Sequence, residues 1–104
     1  MLSVALIITT YNRPAALDRV LHSVARQSSL PRQVIIADDG SDARTSAVVA
    51  SWRGRLGAPL HHAWQPDEGF RAAASRNRAA RDAAADLLVF VDGDCLLRQD
   101  VIAE

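Results

Sequence analysis

Apolar residues fall into four short runs along this 104-residue chain, and each run predicts a β-strand. The first two runs are rich in Val, Ile and Leu and hold few polar residues, as expected of strands buried on both faces of a parallel sheet. They cover residues 4–9, 34–37, 60–64 and 87–91, and the third, Leu-His-His-Ala-Trp, is the weakest. Their starts lie about 30 residues apart, which suits successive strand-helix-strand crossovers.

The segments between the runs predict three helices. Pro14 suits the first turn of the first helix, and Ser41 or Asp42 can cap the second. Apolar residues then recur at helical spacing and form one buried stripe in each helix. The stripes are Leu17, Val20, Leu21 and Val24 in the first helix, and Val48, Val49, Trp52 and Leu56 in the second. An alanine-rich third helix is predicted from about residue 70 to residue 85, and its small side chains would let it pack close to a sheet.

This order of elements predicts an α/β fold. Right-handed crossovers would build a Rossmann-like, doubly wound parallel sheet with the strand order 3-2-1-4. The chain is long enough for one domain, which we expect to span residues 1–104. The fourth strand is then an edge, and an exposed apolar edge favours pairing with another chain. We therefore predict a homo-oligomer that forms through this edge.

Polar residues cluster after each predicted strand. The clusters cover residues 9–12, 38–41, 65–69 and 92–94. Ligands of doubly wound sheets bind at the carboxyl ends of the strands, where these four clusters would meet. The organisation of the chain therefore predicts a ligand site at this edge of the sheet.

Two carboxylates, Asp92 and Asp94, follow the fourth strand. Residues two apart in extended backbone point the same way, and Gly93 between them adds no bulk. Mg²⁺ and Mn²⁺ often take one or two protein carboxylates and complete their shell with water and substrate phosphate oxygens. The motif therefore predicts a metal site for a phosphorylated ligand. The alternative is a plain turn, since Asp-Gly is a common turn dipeptide.

The second strand ends in the adjacent acids Asp38 and Asp39. Only one of them can face the crevice, while the other can turn toward a helix N-terminus or a loop amide. A carboxylate in the crevice would accept hydrogen bonds from a ribose hydroxyl or a base N–H. Capping of the second helix is an equally good interpretation.

Further side chains near the strand ends could contact a nucleotide. Tyr11 offers an aromatic face for stacking on a base, although a lone tyrosine more often serves packing. Thr9 offers a hydroxyl at the end of the first strand. Arg71, in the first turn of the third helix, could pair with a base carbonyl or a phosphate. For Arg78 and Arg81 a solvated helix face is the better interpretation.

Composition and charge exclude several classes of protein. The 12 basic and 12 acidic residues cancel, so the basic field expected of a nucleic-acid-binding protein is missing. Cys95 is the single cysteine and cannot form an internal disulfide. The histidines His22, His61 and His62 form no zinc-ligand pattern. Neither a signal peptide nor a membrane anchor is recognisable near the start, and we predict a cytoplasmic protein.

Four segments, taken in order, resemble the N-terminal, nucleotide-sugar-binding half of family 2 glycosyltransferases, which have the GT-A fold. The segments are VALIITTYNRP, VIIADDGSD, DEGFRAAASRNRA and LLVFVDGDC. They span nearly the whole chain, and four motifs in the right order are far more specific than any one of them. The third segment, with Arg76 and Asn77, is most similar to bacterial members that make or extend amino-sugar polymers.

The resemblance implies roles for individual residues around the nucleotide. Thr9 and Tyr11 match residues that border the nucleobase, with Tyr11 as the stacking side chain. Asp39 matches the acid that contacts the base. An arginine of the helix before the last strand also meets the nucleotide in the family. Arg76 lies nearest to that position, and Arg71 is the second choice.

The resemblance also implies a metal site. Asp92 would lie near the ribose or the metal, and Asp94 on the Mn²⁺ or Mg²⁺ that bridges the diphosphate. For Asp38, the resemblance implies a position next to the nucleotide-binding residues and a structural contribution to nucleotide binding.

The implied reaction transfers a hexosyl or hexosaminyl group, with inversion, from a nucleoside-diphosphate sugar to a hydroxyl group. The preferred donor is a UDP-sugar, and the acceptor is a carbohydrate or a glycolipid. The metal would neutralise charge on the leaving group. The family's general base follows the Asp-x-Asp motif by a long interval, so we expect a chain truncated after this motif that lacks the base. For the full-length enzyme we expect a peripheral position at the inner face of the membrane.

Two other functions are compatible with the same residues. A non-catalytic nucleotide-binding or interaction module would use the same crevice. A phospho-acceptor receiver domain is suggested by Asp38 and Asp39. All 12 basic residues are arginine, however, and the missing lysine weakens that interpretation.

Overall fold

Four strands and three helices alternate along the chain. The computed structural model describes residues 3–66, 72–83 and 85–93. The elements are β1 (Val4–Thr10), α1 (Pro14–Ala25), β2 (Gln33–Asp38), α2 (Ala43–Trp52), β3 (Leu60–Trp64), α3 (Ala72–Asp82) and β4 (Leu87–Asp92). The strands form one parallel sheet in the order β3-β2-β1-β4, so the predicted α/β architecture and strand order are confirmed.

Side chains of the central strands alternate between the two faces of the sheet. Leu6 and Ile8 of β1 pack with α1 and α2 in the larger core cluster, whereas Ile7 packs on the other face against Ala79 of α3. Full burial of such an aliphatic side chain contributes about 1.5–3 kcal/mol. The alanines of α3 leave room for the helix to approach the sheet closely, as the sequence predicts.

One predicted helix boundary is wrong, and the predicted apolar stripe of the second helix extends beyond the helix itself. The second helix ends at Trp52, before Leu56, because Gly54 takes a positive φ of 81° that breaks the helical path. Leu56 is nevertheless buried in the same core cluster as Trp52. The third helix ends at Asp82 and stops short of residue 85, and Ala83 closes it with a tight turn. No helix within the described ranges is long and apolar enough to cross a membrane.

The amino ends of β1 and β4 are joined by side-chain hydrogen bonds. The backbone N–H and the hydroxyl of Ser3 both donate to Oδ2 of Asp86, at 3.0 and 3.2 Å, and the N–H of Asp86 donates to the Ser3 hydroxyl oxygen at 3.0 Å. The bonds from Ser3 hold the pKa of the Asp86 carboxyl below its usual value. The ionised form is therefore favoured in the folded chain.

Asp86→Asn is expected to lower the unfolding temperature slightly at neutral pH. A carboxyl whose pKa is depressed by folding stabilises the fold above its unfolded pKa, and this contribution is lost as pH falls through the folded value. The difference between variant and wild type should therefore shrink below about pH 4. Thermal unfolding followed by circular dichroism at neutral and acidic pH measures it. A difference that grows toward low pH would contradict the assignment.

Strand β4 pairs only with β1 among the described strands and forms an edge of the sheet. Its side chains Leu87, Leu88 and Phe90 are exposed. Leu88 and Phe90 lie on the face of α3, since their register partners are Ala5 and Ile7. The predicted apolar edge is therefore present.

Candidate functional site

The four strands end side by side at one edge of the sheet. The register pairs Thr10 with Asp38 and Asp38 with Trp64 on one side of β1, and Thr9 with Asp92 on the other. Thr9 and Asp92, which are 83 residues apart in the sequence, thereby become neighbours. This edge is the candidate functional site, at the position that the sequence predicts.

Asp38 carries a fully buried carboxylate at the end of β2. Its relative exposure is 0%, so the charge depends on protein partners. Oδ2 lies 2.7 Å from Nε2 of His62, and Oδ1 accepts a hydrogen bond from the backbone N–H of Ser41 at 2.9 Å. The sequence predicts that one of the two adjacent acids turns toward a loop amide, and Asp38 is that acid. These contacts are consistent with the structural contribution to nucleotide binding that the resemblance implies for Asp38.

Asp39 follows on the opposite side of the strand. Its Oδ1 accepts a hydrogen bond from Nε2 of Gln65 at 2.8 Å, and its N–H donates to the backbone oxygen of Thr10 at 3.2 Å. The residue is 6% exposed. The carboxylate is thus held in a fixed orientation at the sheet edge by a group that follows β3.

The loops after β1 and β2 are tied together through Ser41. Its hydroxyl oxygen accepts a hydrogen bond from the N–H of Asn12 at 2.8 Å, and its carbonyl oxygen accepts one from Nε1 of Trp64 at 3.0 Å. Asn12 has a φ of 48°, in the left-handed region that asparagine tolerates better than most residues. Its side-chain oxygen in turn accepts the N–H of Asp42 at 2.9 Å.

Asp42 is the N-cap of α2, one of the two caps that the sequence allows. Its carboxylate accepts the backbone N–H of Arg44 at 3.0 Å and pairs with the Arg44 guanidinium at 2.9 Å. The side-chain bond from Arg44 is the main reason why the pKa of the Asp42 carboxyl lies below its usual value. Asp42 therefore caps α2, and Asp38 and Asp39 make their contacts at the sheet edge instead.

Thr9 and Asp92 meet where β1 and β4 end. The Thr9 hydroxyl donates to Oδ1 of Asp92 at 3.3 Å. Gly93 follows so close to β1 that an added Cβ would overlap the backbone oxygen of Thr9 and lie 3.3 Å from Cβ of Thr10. Only a glycine fits here without moving the backbone, so this glycine sets the spacing between the two strand ends.

The exposed carboxylate of Asp92 suits a hard divalent cation, which takes oxygen ligands. Among the described residues, no group of three His, Cys, Asp or Glu side chains could hold a metal by itself. The second predicted ligand, Asp94, lies outside the described residues.

One of the remaining predicted nucleotide residues, Tyr11, follows β1 directly at this edge and is 48% exposed. Arg76 lies exposed on α3. Arg71 belongs to the part of the chain outside the described residues. The structure thus brings together Thr9, Asp39 and the carboxylate of Asp92, with Tyr11 beside them.

The histidines of β3 point to opposite faces of the sheet, as predicted. His61 lies 3.4 Å from Oδ2 of Asp82 on α3, with both side chains about half exposed, whereas His62 contacts Asp38. An open groove of about 600 Å³ runs past them along the β3 edge and includes Arg78 in its wall. Arg78 is exposed, which agrees with the predicted solvated face.

Sequence reasoning places Ser41 and Gln65 in the polar clusters at this edge but misses their contacts with Asp38 and Asp39, and it misses His62 altogether. Each acts through a contact with a different strand or loop, and the period-two alternation of β3 was the only signal available for His62. Alternation puts His62 on the face of Asp38, but pairing these two residues requires the register between β2 and β3.

Comparison with known proteins shows the family. A family model described as "Glycosyl transferase family 2" matches residues 5–104. The chain is similar to the validoxylamine A glucosyltransferase of Streptomyces hygroscopicus subsp. limoneus, with 44% identity over 90 residues that make up 85% of this chain and 19% of that protein. The chain thus spans about a fifth of the length of this relative.

Solved structures show the same architecture. Staphylococcus aureus TarS in complex with UDP-GlcNAc matches with a TM-score of 0.85 and 25% identity, over 97% of this chain and 29% of that chain. The mannosyltransferase PcManGT from Pyrobaculum calidifontis, in complex with GDP-Man and Mn²⁺, matches with a TM-score of 0.85 and 25% identity, over 98% and 30% of the two chains. With a family match over residues 5–104 and TM-scores of 0.85 to these two structures, the chain belongs to glycosyl transferase family 2 and has the GT-A fold.

Proposed function

We propose that this chain is the donor-binding part of an inverting glycosyltransferase, which holds a nucleoside-diphosphate sugar at the carboxyl edge of the sheet. The observation that carries the proposal is the meeting of Thr9 and Asp92, 3.3 Å apart, at the edge that also bears Asp39. The complexes of TarS with UDP-GlcNAc and of PcManGT with GDP-Man and Mn²⁺ support a nucleotide sugar as the ligand class. A UDP-sugar is our first choice.

The nucleoside is assigned to the ends of β1 and β2. Tyr11, with about half of its surface accessible, supplies a face on which the base stacks. The carboxylate of Asp39, oriented by Gln65, accepts an N–H of the base. Thr9 borders the base and the ribose. Asp38 supports this arrangement without contacting the nucleotide, because its carboxylate is buried and hydrogen-bonded to His62 and Ser41.

The diphosphate is assigned to the end of β4 and to α3. Asp92 and Asp94 hold the divalent cation or the ribose, and Arg76, with Arg71 as the second choice, pairs with the nucleotide. When bound, Mn²⁺ or Mg²⁺ neutralises the negative charge that develops on the leaving diphosphate. The protein's own contribution is to orient the donor and to fix the spacing between Thr9 and Asp92.

Transfer also needs a general base that takes the proton of the acceptor hydroxyl. None of the residues assigned here has that role. Since the chain spans about a fifth of the validoxylamine A glucosyltransferase that it matches, we assign the base and the carbohydrate or glycolipid acceptor site to sequence outside residues 1–104. The cytoplasmic location and the position at the inner face of the membrane stay predictions from the sequence.

Calorimetric titration with UDP, with and without Mn²⁺, tests this proposal. The wild-type chain should bind UDP more tightly with Mn²⁺, and Asp92→Asn should remove most of the increase, about three- to tenfold in affinity. Asp86→Asn is the matched control, because it makes the same change at the opposite end of the same strand. The control should keep the Mn²⁺ effect. UDP binding that ignores both metal and Asp92 would count against the assignment.

The β4 edge is expected to mediate self-association of this chain. Leu88 and Phe90 are exposed on a strand that has one described partner, which leaves an apolar edge open to pairing. Sedimentation velocity at increasing concentration should show dimers or larger species that Phe90→Ser weakens. Leu30→Ser, which alters an exposed leucine in a loop away from β4, is the control. A wild-type chain that stays monomeric at high concentration would contradict the prediction.

A further inference from the structure

His62 and Asp38 form a buried polar pair, and the proposed function assigns no role to the histidine of this pair. Their side chains are 12% and 0% exposed, and Nε2 of His62 lies 2.7 Å from Oδ2 of Asp38. An ionised carboxylate only accepts hydrogen bonds, so with Asp38 in that form the contact is one in which Nε2 of His62 donates. Neighbouring His61 makes a longer contact, 3.4 Å, between half-exposed groups. The two histidines of β3 therefore stand in very different environments.

A continuous series of hydrogen bonds leads from His62 to the loop that carries Tyr11. Asp38 accepts from His62 with one oxygen and from the N–H of Ser41 with the other. The Ser41 hydroxyl oxygen accepts the N–H of Asn12, the residue directly after Tyr11. The left-handed φ of Asn12, 48°, gives this loop its sharp bend.

We propose that His62 is a positioning residue for the nucleotide site: through Asp38 and Ser41 it fixes the bend at Asn12 and thereby the orientation of Tyr11 toward the bound base. The inference rests on the proposed function, because it assigns Tyr11 to the nucleobase. His62 itself does not touch the ligand. Its role is to keep the Asp38 carboxylate in the one orientation that serves Ser41.

Two physical points favour this role over packing alone. A buried carboxylate needs its hydrogen bonds, and without a donor at position 62 it would turn or take in water, which would draw it away from the Ser41 N–H. A left-handed conformation at a non-glycine residue also has to be held by its surroundings. The Ser41 hydroxyl holds the N–H of Asn12, and the N–H of Asp42 binds its side-chain oxygen, so the loop bend depends on the position of the chain at Ser41 and Asp42.

The test is UDP affinity, with UDP as the probe, in variants of His62. His62→Met removes the donor at similar side-chain length and should weaken UDP binding about tenfold, since the loop loses its preorganised shape. His62→Gln places an amide N–H near the position of Nε2 and should restore the affinity to within about threefold. The matched control is His61→Met, which should leave the affinity unchanged. Far-UV circular dichroism shows whether each variant is folded.

The pathway through Ser41 is tested by a double-mutant cycle. Ser41→Ala keeps the N–H that Asp38 accepts but removes the oxygen that holds Asn12. If both residues act through the same loop, the double variant should bind UDP about as weakly as the weaker single variant. Losses that multiply, or a folded His62→Met variant with wild-type affinity, would overturn the proposal. Should His62→Met not fold, unchanged affinity in Ser41→Ala overturns it equally.

Amide hydrogen exchange in the chain without nucleotide separates this inference from the proposed function. The N–H groups of Ser41 and Asn12 should exchange faster in His62→Met than in wild type or His61→Met. A wild-type chain that does not bind UDP would refute the proposed function, and with it Tyr11 as the base-contacting group that His62 serves. UDP binding in the wild type together with unchanged exchange at Asn12 in His62→Met would refute the role of His62 alone.

Discussion

Asp39→Asn is expected to weaken UDP binding about 10- to 100-fold. With Gln65 in its present orientation, the amide uses its oxygen to accept the Gln65 N–H that now bonds to Oδ1, and it then turns an NH₂ group toward the N–H of the base. Two donors facing each other replace a hydrogen bond to a charged acceptor, a bond that contributes about 1.5–3 kcal/mol. Calorimetry with UDP in the presence of Mn²⁺ measures the loss.

Asp42→Asn is the control for this experiment, because it makes the same change three residues along the chain. Asparagine caps helices as well as aspartate does, so α2 should keep its start. UDP affinity should stay within about twofold of wild type. An Asp39→Asn variant that binds UDP as well as this control would remove Asp39 from the base contact.

Gly93→Ala is expected to disrupt the site by steric overlap. Its methyl group would collide with the backbone oxygen of Thr9, so the ends of β1 and β4 must move apart. Overpacking of this kind costs about 1–3 kcal/mol of stability. The movement also separates Thr9 from Asp92, and we expect UDP affinity in the presence of Mn²⁺ to fall more than about tenfold.

Gly54→Ala separates this steric effect from a general glycine effect. A methyl group at Gly54 would meet no described atom within 4 Å, but the φ of 81° there strains any other residue. This control should therefore lose about 1–2 kcal/mol of stability and keep its UDP affinity. Thermal unfolding and calorimetry on both variants decide the matter. Unaltered stability and binding in Gly93→Ala would mean that the strand ends can separate without consequence.

The two central strands, β1 and β2, could be predicted well from the sequence because most of their positions are buried. Runs such as residues 34–37 are apolar at every position, and only a strand covered on both faces requires this pattern. Helix ends were harder. The helical spacing in α2 predicts a buried stripe that extends to Leu56. Leu56 is indeed buried with Trp52, but the chain reaches that place through a turn at Gly54. Periodicity reports which residues are buried and leaves the backbone path between them open.

The edge of the sheet that bears the site could be predicted because the carboxyl ends of parallel strands must lie together. The division of work between Asp38 and Asp39 could be predicted only as two alternatives. Their assignment depends on His62 and Gln65, which follow from the register of β3 on β2. The cap at Asp42 also depends on which of two neighbouring polar side chains reaches back to the helix.

The central position of β1 has a consequence for the order in which the fold can form during synthesis. One neighbour of β1 is β2, which begins only at Gln33. The other is β4, which extends to Asp92, the residue that pairs with Thr9 of β1. Contacts that bridge 83 residues form late, because the entropy of closing so long a loop must be met first. One side of the β1 backbone therefore stays unpaired on the ribosome until β4 emerges, and a nascent chain that stalls before then exposes this largely apolar strand to aggregation.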